Sequence, residues 1–183
     1  MRLLRGTVRL TDTLRRSLDT DEMVLAQAIA LDGTELAATR KRLIVVPPEA
    51  AADSLGWHQI AKARLDAGTL TVIPMEKVAE LPTGDPVLRD ASPMSFSFDG
   101  KAKLTDQVHS RVRRSVAGSR RLPWPGAGGW VTIRRVAGRD GLILQLRLDH
   151  GADLSAPGFV DAVLRVGAEL LGAASPGVTG VDE

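Results

Sequence analysis

Between Met23 and Ile73 the chain reverses direction every few residues, at positions where little but a turn fits. The apolar run Met23–Leu31 is closed by Asp32-Gly33, a hairpin signal. Glu35–Thr39 and Leu43–Val46 flank Arg40-Lys41-Arg42, which reads as a tight basic turn. Pro47-Pro48 ends that run, because proline cannot donate to a β-ladder. Residues 55–66 alternate, with Trp57, Gln59, Ala61, Ala63 and Leu65 on one face and His58, Ile60, Lys62 and Arg64 on the other. Ala67-Gly68 turns the chain into Thr69–Ile73, a β-branched strand stopped by Pro74. The spacing predicts an antiparallel meander of about five strands joined by short loops.

Helical periods lie on either side of it. Leu10, Leu14 and Leu18 at i, i+4 and i+8 predict a short amphipathic helix over 10–18, starting near Thr11 or Asp12. It is too brief to stand on propensity and must be held by docking. Residues 76–93 carry Pro82, Gly84, Pro86 and Pro93 and read as a long irregular loop, or one with a single helical turn. Met94, Phe96 and Phe98 alternate onto one face, and two of the three Phe lie there, so that face is expected in the core. Leu104, Val108, Val112 and Val116 recur every four positions, predicting a helix over 103–117 with Gly118 as its stop. Residues 118–130 are rich in breakers, and Gly126–Gly129 reads as a flexible connector. Val131–Ile133 and Leu142–Leu148 suggest a hairpin across Gly138–Gly141. A last helix over 157–172 has Ser155 as N-cap, Pro157 in its first turn and Phe159, Val163, Val166 and Leu170 as its buried stripe. The tail from Ala173 is expected to fray.

The class is therefore α+β: a curled antiparallel sheet or barrel capped by a helix, with a hairpin-plus-helix extension at the C-terminal end. The expected domains are 1–117, with the N-terminal and capping helices, and 118–183, packed on the first part or paired with a second copy. Helix closure of a curled meander also hides its sheet edges.

Within residues 22–76 the carrying stretches are Gly33-Thr-Glu-Leu-Ala-Ala-Thr-Arg-Lys-Arg-Leu-Ile-Val-Val46, and Gly56-Trp-His-Gln-Ile-Ala-Lys-Ala-Arg-Leu65 followed by Gly68-Thr-Leu-Thr-Val72. This segment resembles the opening of bacterial pleckstrin-homology-like domains, small seven-stranded barrels capped by a C-terminal helix. Phe96, Phe98 and the 104–116 helix would supply the closing strands and the cap. The aromatic-poor, Ala- and Arg-rich style is similar to that of proteins from high-GC actinobacteria. The resemblance implies a scaffold that binds lipid headgroups or peptides, and it carries over no set of ligand residues.

Charge is the remaining signal. The net charge of +2 hides a strong segregation, since residues 101–139 carry ten basic side chains against Asp106 alone. Residues 17–100 carry seven basic against thirteen acidic groups, and 140–183 two against seven. Such asymmetry points either to an anionic partner or to docking of the basic stretch on the protein's own acidic segments. The strongest cluster is Arg111, Arg113, Arg114, Arg120 and Arg121, followed by Trp124. Arginine suits bidentate phosphate contact, and a tryptophan can stack on a base or sit at a membrane interface. The alternative is a solvated helix face beside a structural Trp. Arg134, Arg135 and Arg139 could extend the patch, although strand alternation sends Arg134 and Arg135 to opposite faces. Arg40, Lys41 and Arg42 form a second basic spot, which is either a headgroup contact or ordinary protection of a turn. Asp21-Glu22 is read as capping or solvated.

No residue set points to catalysis. Zero Cys excludes disulfides and thiolate chemistry, and His58, His109 and His150 are too scattered to suggest a metal. Asp149-His150 has no G-x-S-x-G elbow to serve, and no cofactor loop is present. No run approaches the ~18 apolar residues of a membrane span, and the first residues lack an apolar signal core, so the expected address is cytoplasmic or membrane-peripheral. The expected function is non-enzymatic: a binding or scaffold module whose Arg-rich surface meets a protein or an anionic membrane. Nucleic acid is the alternative partner, and it is disfavoured because Tyr is absent and the Trp do not interleave with the basic residues.

Overall fold

The structure, a computed structural model, describes residues 10–100 and 102–174. It is α+β and divides into two compact units. One comprises the described residues up to Pro74 together with Ser92–Arg113; the other comprises Met75–Ala91 and the described residues from Arg114 onward. The spacing of sequence breakers divides the chain at 117/118, whereas contacts divide it at 113/114 and move 75–91 to the second unit. The reason is pairing: Val87 and Leu88 lie in parallel register with Leu146 and Arg147.

In the first unit, α1 (Asp12–Arg16) begins as its sequence predicts, with the Thr11 hydroxyl accepting from the Leu14 N–H at 3.2 Å. Leu14 is fully buried against Ala37, Ile44 and Val46, which is the docking a five-residue helix requires. The backbone N–H and hydroxyl of Thr11 donate to the Glu35 carboxylate at 3.5 and 2.5 Å. Strands β1 (Val24–Ile29), β2 (Glu35–Thr39), β3 (Arg42–Val46) and β4 (Asp53–Gly56) form an antiparallel sheet in chain order. Every residue of β2 is buried, because α1 covers one face and the main core the other.

The alternating run 55–66 is not one strand. A 3₁₀ turn at Trp57–Gln59 separates β4 from β5 (Ile60–Asp66). Residues three apart eclipse in a 3₁₀ turn, so Trp57 and Ile60 both enter the core. An unbroken strand would have sent them to opposite faces. Nor does Pro74 stop the next strand: β6 runs Thr69–Glu80. Pro74 falls between Val72, the last residue paired with β8 (Met94–Ser97), and Met75, the first paired with β7 (Pro86–Asp90). Pro74 still pairs with Ile60 of β5, but on the other side of the strand it falls where β8 gives way to β7, so a missing N–H there interrupts neither of those ladders. The supposed loop 76–93 is therefore mostly a hairpin, its turn closed by Leu81 N–H to Asp85 O and Gly84 N–H to Leu81 O, both 2.8 Å. Pro82 and Gly84 serve that turn and Pro86 opens β7, so three of the four breakers mark one reversal.

Phe96 and Phe98 are buried as expected. Helix α2 (Lys103–Ser115) presents Leu104, Val108 and Val112 to the same core as Leu36, Leu43, Trp57, Ile60, Leu70 and Val72. The helix therefore plugs the first unit.

Val116 and Gly118, read as the end of that helix and its stop, lie in β9 (Val116–Leu122). Gly118 pairs with Ile133, and a Cβ there would come within 3.3 Å of Leu170, so glycine allows a close helix approach rather than ending a helix. Strands β9, β10 (Gly129–Arg135) and β11 (Leu142–Leu148) are antiparallel neighbours, β7 adds in parallel, and the second half of β6 pairs with β7. Helix α3 (Phe159–Ala174) buries Phe159 and Val163 against Val131, Ile133, Leu144 and Leu146. The C-terminal part is thus a mixed sheet with a helix, more than the expected hairpin plus helix, and not purely antiparallel. Ser155 does not cap α3; its N–H and hydroxyl donate to Asp153 at 2.8 and 2.7 Å. Beyond Ala174 the expected fraying falls outside the described residues. Among the described residues no helix is long and apolar enough to cross a membrane.

Within the 126–129 connector, Gly128 and Gly129 are tightly packed. A Cβ on Gly128 would lie 2.0 Å from the Leu122 carbonyl oxygen, whereas Gly126 has open space and a φ of +85°. Gly128→Ala should cost about 3 kcal/mol or more, because backbone must move. Gly126→Ala should cost only about 1 kcal/mol, from left-handed strain. Urea denaturation of the two variants measures the difference, and equal losses would contradict the close approach.

Candidate functional site

The first unit contains a cleft of about 380 Å³ lined by Lys62, Ala63, Arg64 and Leu65 of β5, Leu70 of β6, and Thr105, Asp106 and His109 of α2. Four consecutive residues of one strand line it. Successive side chains point to opposite faces, so a space touching all four lies alongside the strand rather than over one face. β5 ends the strand order of its sheet and among the described residues pairs only with β6, so within them the cleft follows an open edge.

The hairpin chemistry says which backbone groups that edge offers. Asp66 pairs with Thr69 across Ala67-Gly68, whose φ values of 44° and 82° match a two-residue turn of mirror-image type. The pair flanking such a turn exchanges both hydrogen bonds, and the pattern alternates along the ladder. Arg64 and Lys62 accordingly bond to β6, while the N–H and C=O groups of Leu65 and Ala63 point outward. Ala63 packs on the main core, so the Ala63/Leu65 face is the inner one. Leu65 at the rim is still 48% exposed. Lys62 and Arg64 stand on the outer face, exposed, with Arg64 in a solvent-exposed ion pair with Asp66 at 3.3 Å. On the α2 wall Asp106 and His109, three apart, share a helix face, and the Thr105 hydroxyl is used locally on the Ala102 carbonyl at 2.7 Å.

The basic residues singled out by sequence lie elsewhere. At the β2–β3 turn, Lys41 reaches Asp19 and Asp21 at 3.3 and 3.4 Å. Arg42 binds Glu22 through Nη2 at 2.7 Å and through Nε, and also reaches Asp19 at 3.3 Å and the Ser17 carbonyl at 2.9 Å. Burial would raise the Glu22 carboxyl, yet hydrogen bonds from Arg42, Thr39 and the Asp19 backbone outweigh it and hold the group at about 2. Asp21-Glu22, read as capping or solvated, is the anionic half of this clasp. The signal was in the sequence as two complementary charge runs some twenty residues apart. Arg40 is exposed, and its carbonyl accepts from the Trp57 indole at 3.2 Å.

Arg111 is half-buried on α2 and Arg113 is exposed there, both in the first unit. Arg114, Arg120, Arg121 and Trp124 belong to the second. Strand alternation separates Arg120, which pairs with Glu169 of α3, from Arg121, which pairs with Asp149 at 2.6 Å and lies 5.9 Å from the Trp130 ring. Trp124 packs edge-on against Phe159 at 5.2 Å in the second core. Arg114 is exposed, and its carbonyl accepts from Arg135 at 3.4 Å. Arg134 is buried with Nη1 on the Ser115 hydroxyl at 2.7 Å, and burial, with a smaller push from Arg147, lowers it to about 10. Lys41, Arg42, Arg120 and Arg121 are thus each answered by carboxylates of their own unit. No sequence signal marked the cleft, because a strand becomes an edge only through the order of its neighbours.

No family model, curated protein or solved structure matches the chain.

The Glu22 carboxyl titrates lower in the fold than its ordinary 4.5, so its stabilisation is full above about pH 4.5 and is lost as pH falls towards 2. Glu22→Gln should cost about 2 kcal/mol at neutral pH and flatten the acid limb of stability. Thermal melts from neutral pH down to pH 3 measure both, and an unchanged acid limb would show that the clasp adds nothing.

Proposed function

We propose that this chain is a non-enzymatic protein-binding module whose first unit takes an extended peptide along β5, in the cleft beside α2. One observation carries the reading: an open strand edge with two outward pairs of backbone groups borders a cavity large enough for a strand of side chains. Strand addition uses such an edge, with main-chain hydrogen bonds supplying affinity and the walls supplying selection. Among the described residues of this unit, seven strand segments in two antiparallel arrays plugged by one helix support the pleckstrin-homology-like resemblance, which implies headgroup or peptide binding.

The wider Arg-rich surface is the less favoured seat. Lys41, Arg42, Arg120 and Arg121 are engaged within their own units, and Trp124 is in a core, so neither a phosphate-gripping cluster nor a base-stacking platform is left standing among them. Arg40, Arg113 and Arg114 face solvent and would act only as a peripheral electrostatic contribution to a protein or an anionic membrane.

Proline tests this at the bond level. Leu65→Pro removes an outward N–H while keeping the β5–β6 ladder, so the thermal midpoint should change by no more than a few degrees. Peptides selected from a random display library on the wild-type protein should lose at least about tenfold in affinity for the variant. Equal binding by both proteins, or selection of peptides that map to β9, would overturn the reading.

A further inference from the structure

We infer that the peptide taken by the β5 edge is one that alternates acidic and apolar residues; this rests on the strand-addition reading above. A strand added to β5 must follow its pleat, so each added side chain lies on the same face as the β5 residue opposite it. Opposite Lys62 and Arg64, two residues apart, the added positions are on the outer face, bordered by two cations. Opposite Ala63 and Leu65, they are on the inner face, where half-buried Ala63 and the exposed part of Leu65 offer apolar surface over the buried Leu70. The register therefore calls for acidic residues at i and i+2 and apolar residues between them.

The charges around the cleft support the same order. Lys62 is exposed at the outer wall, and the one carboxylate near Arg64 on that strand is Asp66, held in an ion pair so open to water that an incoming carboxylate can replace it at little cost. Asp106 lines the same cleft from α2, with Thr105 and His109. There it disfavours a second acidic row, so a uniformly acidic strand fits less well than an alternating one. Backbone groups of Ala63 and Leu65 would hold any extended peptide, whereas Lys62 and Arg64 choose among them.

Amide shifts of the whole protein separate the two levels. The probes are acetylated, amidated peptides Asp-Val-Asp-Val-Asp, Asn-Val-Asn-Val-Asn and Lys-Val-Lys-Val-Lys. The inference expects the Asp peptide to move the Ala63 and Leu65 amides and to bind on the order of fivefold more tightly than the Asn peptide, with the Lys peptide weakest. The advantage should shrink with rising salt and disappear in Lys62→Glu/Arg64→Glu, two exposed sites at which the fold should tolerate the change. If the Asp and Asn peptides move those amides with equal affinity, the docking reading stands and the acidic preference is overturned. If none of the three moves the Ala63 and Leu65 amides, strand addition at β5 fails, and this inference fails with it.

Discussion

Leu104, Val108 and Val112 have to find apolar partners on three or more strands at once, and the first unit is organised around that demand. Each such side chain contributes about 1.5–3 kcal/mol on burial, while the exposed ion pairs scattered over the surface contribute at most about 1 kcal/mol each. Packing therefore sets the geometry and charge decorates it. The helix stripe draws Leu36, Leu43, Trp57, Ile60, Leu70, Val72 and Phe96 into one core. Meeting that core also explains the 3₁₀ turn at Trp57, since a turn there puts two large side chains on the same side. Once α2 is seated, its first turns run beside β5 and form the far wall of the cleft.

Electrostatics acts chiefly to hold segments down. The stretch from Thr11 to Glu22 is tied at one end by Thr11 to Glu35 and at the other by Glu22, Asp19 and Asp21 to Arg42 and Lys41, with Leu14 buried between. In the second unit Arg120 and Arg121 sit on β9, the terminal strand of its sheet, and reach Glu169 and Asp149. Charged side chains on an edge also discourage unwanted pairing. β5 is an edge of another kind: its outward backbone groups adjoin a space with an apolar floor and a cationic rim, which suits selective pairing better than exclusion.

Local chemistry was legible wherever a residue acts on its immediate neighbours. The Thr11 cap, the reversals at Gly33, Arg40–Arg42, Gly68 and Gly138–Gly141, the Phe96/Phe98 face and the two long helices follow from period and turn type. Several misreadings share one cause. Pro74 and Gly118 look like terminators in one dimension, and Gly128 like part of a flexible connector, yet each accommodates a neighbour that the local pattern does not reveal: a change of strand partner, the approach of Leu170, the carbonyl of Leu122.

Hydrophobic period and turn chemistry are local properties, and they sufficed for the α+β class, most element positions and the core-facing stripes of the helices. It took the folded chain to place β7 beside β11, to answer part of the basic runs with carboxylates of the same unit and, among the described residues, to leave the outer edge of β5 unpaired. Those outcomes depend on which strand ends up beside which, a choice made by long-range packing that leaves no mark on any single stretch of residues.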